Sequence, residues 1–287
     1  TYIESGCKTA ETVVWIKPVL IPSADKNNGK HVVYAQFGSS LNARVPHSPE
    51  KIFNFYDNFE SKTIGKKWGI NTGTWPLSDY ETSGVTINAE KSWAEFAGGG
   101  NYNGALVTCL SCTASDSSPD KFLRTPEYGL IAEAKIKNED YTGADFTNGI
   151  IFHNTGEGAL EYNQDSYDAF TSNNPANSGE MLRYDLFNGG ADLGTDKSFT
   201  PVSNQWYVAK LILSPTDQKT QTVTAALYDG ENKNVLSSTS RDEKILKNIH
   251  TAGDFALDNY SGGTMYVDWF SVRKFTKKEP VVTVVPD

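Results

Sequence analysis

Between Trp206 and Ser240 the chain reads WYVAKLIL (206–213), TQTVTAAL (220–227) and NVLSSTS (234–240). Each segment is rich in β-branched, aliphatic, aromatic or hydroxyl side chains that suit a pleated, half-buried surface. Between them stand Ser214-Pro215-Thr216-Asp217 and Asp229-Gly230, residues that reverse the chain. Three strands and two reversals make an antiparallel meander. The same texture of short strands and Gly, Asn and Asp turns runs from Phe53 to Phe275. Phe255-Ala256-Leu257 and Met265 to Phe275 read as a further hairpin about Ser261-Gly262-Gly263. Helical periodicity is confined to a single turn over Arg241 to Asn248. Many short strands at a spacing of about 8–12 residues predict an all-β antiparallel sandwich.

Composition bounds the rest. At about 150 residues per domain, 287 residues make one large domain or two modest ones. With 38% hydrophobic and 21% charged residues the chain can bury a core. Its 26 Lys and Arg against 35 Asp and Glu give a net charge of −9. That sign argues against nucleic-acid phosphate and anionic membrane surfaces as partners. No apolar run approaches the roughly 18 residues of a membrane span. The chain opens Thr1-Tyr2-Ile3, without Met, a basic region or an apolar stretch. It therefore reads as a processed product, a fragment or a chain lacking its true start.

Three parts are expected. Residues 1–48 form a small, apparently incomplete β module, with strands at Thr12 to Ile16 and His31 to Phe37 joined through Lys26-Asn27-Asn28-Gly29-Lys30. That length is too short to bury a core alone. Residues 49–276 form the large sandwich, and residues 277–287 a Pro/Val-rich tail or linker.

Motifs that carry chemistry are few. Cys109 and Cys112 form C-L-S-C, followed by loop residues, and His31, His47, His153 and His250 are scattered. Neither zinc spacing nor a redox helix follows, which leaves free thiols or a tight Cys109–Cys112 disulfide, with Cys7 unpaired. Glu157, Glu161, Asp165 and Asp168 lie in a polar stretch without the Glu-x-Asp-x-x-Glu spacing of sandwich glucanases. Glu133-Ala134-Lys135 puts Lys where that pattern needs Asp. Gly-x-Ser-x-Gly, H-E-x-x-H and phosphate-binding loops are absent, and Gly98-Gly99-Gly100 leads into turn residues. The chain is therefore expected not to be an enzyme. Trp75, Trp93 and Tyr102 lie in Gly/Asn/Ser-rich surroundings and are candidate sugar-stacking residues, whereas Trp206 and Trp269 lie in strands and are expected in the core. Asn259-Tyr260-Ser261 is a glycosylation sequon. Asp268 stands between Val267 and Trp269, with Tyr266 and Phe270 at spacing two. A carboxylate in such company requires a cationic or hydrogen-bonding partner, or a metal.

Two stretches also carry a resemblance. Tyr2-Ile3-Glu4-Ser5-Gly6-Cys7 and Val13-Val14-Trp15-Ile16-Lys17, within residues 2–59, resemble the C-terminal half of a module of unknown function found in large archaeal and bacterial surface proteins. There the module runs on into a motif like Phe55-Tyr56-Asp57-Asn58-Phe59-Glu60, which opens a concanavalin A-like lectin/glucanase sandwich (a jelly roll). The closing run Tyr266 to Phe275 is similar to the last strand of such sandwiches, whereas residues 76–200 match only as generic β texture. The resemblance implies that Asp268 ligates a structural Ca²⁺ with backbone carbonyls, Asp57 and Asn58 being neighbours. It also implies that the other half of the first module is missing, and with it a partner for Cys7.

These readings predict a non-catalytic extracellular cell-surface protein, adhesive or structural, whose partners are other surface-protein subunits or extracellular glycans. A lectin-like carbohydrate-binding module is the first alternative, a glycan hydrolase or lyase the second. Unpaired edges in residues 1–48 and the Val281 to Val285 tail suit strand exchange between copies in a self-assembling filament.

Overall fold

The computed structural model describes residues 2–5, 13–15, 49, 53–61, 64, 68–69, 85–97, 105–108, 129–140, 146–153, 166–173, 183–188, 191–196, 199–217, 220–244, 254–259 and 263–275. The chain divides into two units, Thr1–Asn54 and Phe55–Asp287. In the first, β1 (Tyr2–Ser5) pairs antiparallel with β2 (Val13–Trp15), Tyr2 opposite Trp15. The expected strand at His31 to Phe37 lies outside the described residues.

The second unit contains two antiparallel sheets. One holds, in spatial order, β12 (Ala191–Asp196), β11 (Arg183–Asn188), β10 (Ser166–Asn173), β9 (Phe146–His153), β16 (Asp254–Asn259), β7 (Ala105–Thr108) and β4 (Trp68–Gly69). The other runs β15 (Val235–Lys244), β14 (Thr220–Asp229), β13 (Trp206–Pro215), β8 (Leu130–Asn138), β17 (Met265–Lys274), β6 (Trp93–Phe96) and β5 (Val85–Asn88), with β3 (Phe55–Asp57) also on β17. Their inner faces share one core: Ile150, Phe255 and Leu257 from the first sheet, and Ala132, Ile136, Leu211, Val223 and Val267 from the second. The architecture is an antiparallel β-sandwich of two sheets over one core, as the strand texture predicts.

The meander forms as its residues dictate. Asp229 closes the β14–β15 reversal by accepting the backbone N–H of Lys233 at 2.8 Å and the Asn234 side-chain amide at 2.6 Å. Over Arg241 to Lys244 the expected helical turn is instead strand, since the ladder continues with Val223 opposite Arg241 and Thr222 donating to Asp242 at 2.6 Å, and the rest of that turn, to Asn248, lies outside the described residues. The hairpin expected around Ser261-Gly262-Gly263 is also corrected. β16 lies in the seven-stranded sheet against β9 and β7, while β17 lies in the eight-stranded sheet. Gly263 is required there, because a Cβ would stand 2.6 Å from the Asp140 backbone nitrogen.

In β17, Met265 and Val267 face the core, and so do Phe270 and Val272. This change of parity comes from a bulge between Val267 and Trp269, where the register against β8 slips by one residue. Phe270 thereby enters an aromatic nest with Phe55 (5.8 Å between centroids) and Trp68 (5.6 Å), and Phe59 stacks on Trp68 at 5.8 Å. Asp57, 3% exposed, supports the nest: Oδ2 accepts Trp68 Nε1–H at 2.6 Å and Oδ1 accepts Phe59 N–H at 2.9 Å. The second bond holds Phe59 in the left-handed region at φ 53°, strained for an aromatic residue.

Asp57→Ala leaves the Trp68 indole N–H buried without this acceptor. The expected loss is about 2–3 kcal/mol of unfolding free energy, with Asp57→Asn between Ala and the native residue, as measured by urea denaturation.

Candidate functional site

The outward face of the eight-stranded sheet carries two clusters, each set by register. Lys210 on β13, Glu133 on β8 and Ser271 on β17 lie opposite one another. The Glu133 side chain is 1% exposed and is paired with Lys210 Nζ at 2.7 Å and Arg273 Nε at 3.1 Å. Lys210 Nζ also stands 4.1 Å from the Tyr228 ring centroid. Burial pushes the Glu133 carboxyl up, but Arg273 and then Lys210 outweigh it, and the net position is below the ordinary 4.5.

The second cluster is aromatic. Trp206, Lys137, Tyr266 and Glu95 stand in register across β13, β8, β17 and β6. Trp93 closes the β5–β6 hairpin opposite Asn88. The turn between them is built by Asn88, whose Oδ1 accepts Glu90 N–H (3.2 Å) and Lys91 N–H (3.1 Å), while its carbonyl accepts Ser92 N–H at 2.8 Å. Trp206 is placed by Asn204, which is left-handed at φ 64° and donates its N–H to Asn138 O at 2.7 Å. Gly230 backs it closely, since a Cβ there would meet Trp206 O at 2.8 Å.

Trp93, Trp206 and Tyr266 are half-buried, and their rings converge, Trp93 lying 5.7 Å from Trp206 and 5.3 Å from Tyr266. Lys137 Nζ sits among them, 4.7 Å, 5.0 Å and 4.6 Å from the Trp93, Trp206 and Tyr266 centroids. Such an ammonium is attracted by the negative ring faces. Lys91 Nζ lies 5.6 Å from Trp93, and Lys135 Nζ lies 5.4 Å from Trp206. Glu95 Oε1 accepts Trp93 Nε1–H at 2.9 Å and Asn88 Nδ2–H at 2.8 Å. Burial, with the charges of Glu139 and Glu95, raises the Tyr266 hydroxyl above its ordinary 10.0.

Of the three sugar-stacking candidates, Trp93 is in this cluster, while Trp75 and Tyr102 lie outside the described residues. So do Cys7, Cys109, Cys112, Glu157, Glu161 and Asp165. Trp206, expected in the core, belongs to the outward cluster, and Trp269 is half-buried outside the core cluster. Lys137 and Tyr266 were not singled out from the sequence, although the alternation in Ala134-Lys135-Ile136-Lys137 already put both lysines opposite the core side.

Asp268 does not share a face with Phe270, because the bulge turns Phe270 inward. It pairs with Lys135 Nζ at 2.7 Å, the cationic partner that the sequence left as one of its options. Asp57 serves the aromatic nest. Among the described residues no group of three or more His, Cys, Asp or Glu is placed to hold a metal ion. The sequon residue Asn259 is 1% exposed and donates to Phe96 O at 2.9 Å and Gly263 O at 3.2 Å, a position closed to glycosylation.

No protein-family model matches the chain, and no curated protein matches it. Solved structures are similar at low identity. A winged bean acidic lectin complexed with methyl-α-D-galactose is 7% identical over 77% of this chain and 98% of that one, TM-score 0.49. A structure described with endo-acting O-glycanases of the human gut microbiota that initiate mucin breakdown is 13% identical over 77% and 98%, TM-score 0.48. The GH43 protein BlXynB from Bacillus licheniformis is 13% identical over 77% and 39%, TM-score 0.47. The chain spans less than half the length of the GH43 chains it matches, 27–41%. At such identities a likeness assigns neither ligand nor reaction. It does overturn the expectation that the chain is not an enzyme: GH43 glycoside hydrolases stand among the similar structures at 11–13% identity. Enzymatic status is suggested and no more. The missing Glu-x-Asp-x-x-Glu pattern excludes one arrangement of carboxylates and not glycan chemistry on this fold. No helix among the described residues is long and apolar enough to cross a membrane.

A carboxyl depressed in the folded state supplies stability that is complete above its ordinary value of 4.5 and is lost as pH falls through the folded value. Glu133→Gln takes the carboxylate away from Lys210 and Arg273 and should lower stability at neutral pH by about 3 kcal/mol, the low end for a broken buried pair because both cations keep some access to water. It should also flatten the acid loss of stability below about pH 4.5, as read from urea unfolding across that range.

Proposed function

We propose that this chain binds a carbohydrate on the outward face of its eight-stranded sheet, as the adhesive part of an extracellular or cell-surface protein. The observation that carries the reading is the convergence of three half-buried rings, Trp93 lying 5.7 Å from Trp206 and 5.3 Å from Tyr266, beside hydrogen-bonding side chains. Ring faces of this size receive the C–H faces of pyranose rings, and a few placed polar groups fix the orientation. Lys91 and Lys137 supply those groups. Partly exposed aromatics gathered at one place on a soluble domain mark an interaction site more often than scattered ones. A lectin-like role therefore stands ahead of a purely structural one.

The test is binding of the full chain to an array of neutral and acidic polysaccharides. Trp93→Ala and Tyr266→Ala should each weaken binding about tenfold or more, with Trp206→Phe retaining most of it and all three keeping a cooperative melt. Absence of saturable binding to any glycan, or full binding by Trp93→Ala, overturns the reading. Product release from the bound glycans, followed in the same samples, reports hydrolysis directly.

A further inference from the structure

We infer that the face prefers acidic glycans, reading a carboxylate or sulfate on the sugar through the ammonium of Lys137, with Lys91 assisting. This rests on the glycan reading above. The chain carries a net charge of −9, yet three lysines, Lys91, Lys135 and Lys137, gather on this one aromatic face. Their electrostatic states differ. Lys135 is neutralised by Asp268 at 2.7 Å. Lys137 is held by three ring faces at 4.6–5.0 Å and Lys91 by one at 5.6 Å, and among the described residues neither makes an ion pair.

The carboxylates of the face are engaged by other groups or, in the case of Glu139, exposed to solvent while its charge still reaches the Tyr266 hydroxyl. Glu95 Oε1 is taken up by the Trp93 indole and the Asn88 amide, Asp268 by Lys135, and Glu139 projects into solvent. Cation–π contact leaves an ammonium its N–H donors and its full charge, so Lys137 can still donate to an anion. A sugar stacked on Trp93 or Trp206 would lie against that ammonium. An anionic substituent there gains a charge-assisted contact, and a hydroxyl only a neutral one. The rings also limit the motion of the long lysine side chain, so less freedom is lost on binding.

The experiment compares polygalacturonate with its fully methyl-esterified form, and dextran sulfate with dextran, on the full chain at low and at high salt. Each pair keeps its sugar and changes its charge. The expected result is about fivefold tighter binding of the acidic member at low salt, a gap that closes as salt rises while the neutral affinity hardly moves. The pair that shows the gap tells a carboxylate reader from a sulfate reader. Lys137→Gln should bring the acidic-to-neutral ratio near one, and Lys137→Arg should preserve it. Lys91→Gln, at an exposed residue whose loss leaves the fold intact, should lower the ratio in part. Equal affinity within both pairs overturns the acidic preference while leaving the glycan reading standing, and so does a preference that survives Lys137→Gln with Lys91→Gln. Failure of every polysaccharide to bind, or indifference to Trp93→Ala, overturns both.

Discussion

Much of the second unit depends on one extra residue in β17. Up to Val267 the strand sends odd-numbered side chains inward, and after the bulge it sends even-numbered ones. Without that slip, continued alternation would turn Trp269, Ser271 and Arg273 toward the core and Phe270 and Val272 toward the outside. With it, Phe270 completes the aromatic nest around Trp68, and Arg273 arrives beside Glu133. The bulge also leaves Asp268 on the outside, within reach of Lys135. A bulge bends and twists its strand, so it re-aims side chains on both faces at once. Core, ion triad and aromatic face are thus tied to the same local irregularity.

The two outward clusters differ in energetic character. The Glu133 triad is nearly closed to water, where breaking a pair is expensive although the intact pair adds little over an apolar substitute. Its main effect is to pin the relative positions of β8, β13 and β17. The Trp93–Trp206–Tyr266 cluster is open enough to exchange water for a ligand, and two of its three lysines, Lys91 and Lys137, sit over rings and not in tight pairs. One cluster holds the sheet together, and the other is available for contact. They lie along the same strands, so the rigid triad supports the geometry of the open face.

Much of this was readable from the residues. The meander from Trp206 to Ser240 was legible because strand residues and turn residues agree there at every step, down to Asp229 and Gly230. The pairing of Met265 to Phe275 was not, since Ser261-Gly262-Gly263 suits a hairpin and a corner between sheets equally, and only the distant β9 and β8 decide between them. Trp206 was misplaced because an aromatic residue in a strand fits either face. Its side is fixed by register against Lys137, some seventy positions earlier in the chain. The face that Asp268 was expected to share with Phe270 was misread for a related reason: spacing by two holds only in a regular strand, and nothing local announces the bulge. The aromatic face itself draws on four strands from four separate regions of sequence, so no contiguous motif could display it.

The placement of β17 also governs when the domain can form. Among the described residues it is the last strand of the sandwich, yet it lies inside the eight-stranded sheet, with β8 on one side and β6 and β3 on the other. During synthesis, β5 and β6 and the later block β8, β13, β14 and β15 must therefore wait as two separate pieces of sheet. Each shows an open edge and an uncovered apolar surface until Met265 to Lys274 emerges and joins them. Pairings so distant in sequence are slow to form, and the waiting pieces are the species most exposed to wrong partners. A nascent chain of this kind benefits from fast completion of its C-terminal strand or from a chaperone that shields the gap until it closes.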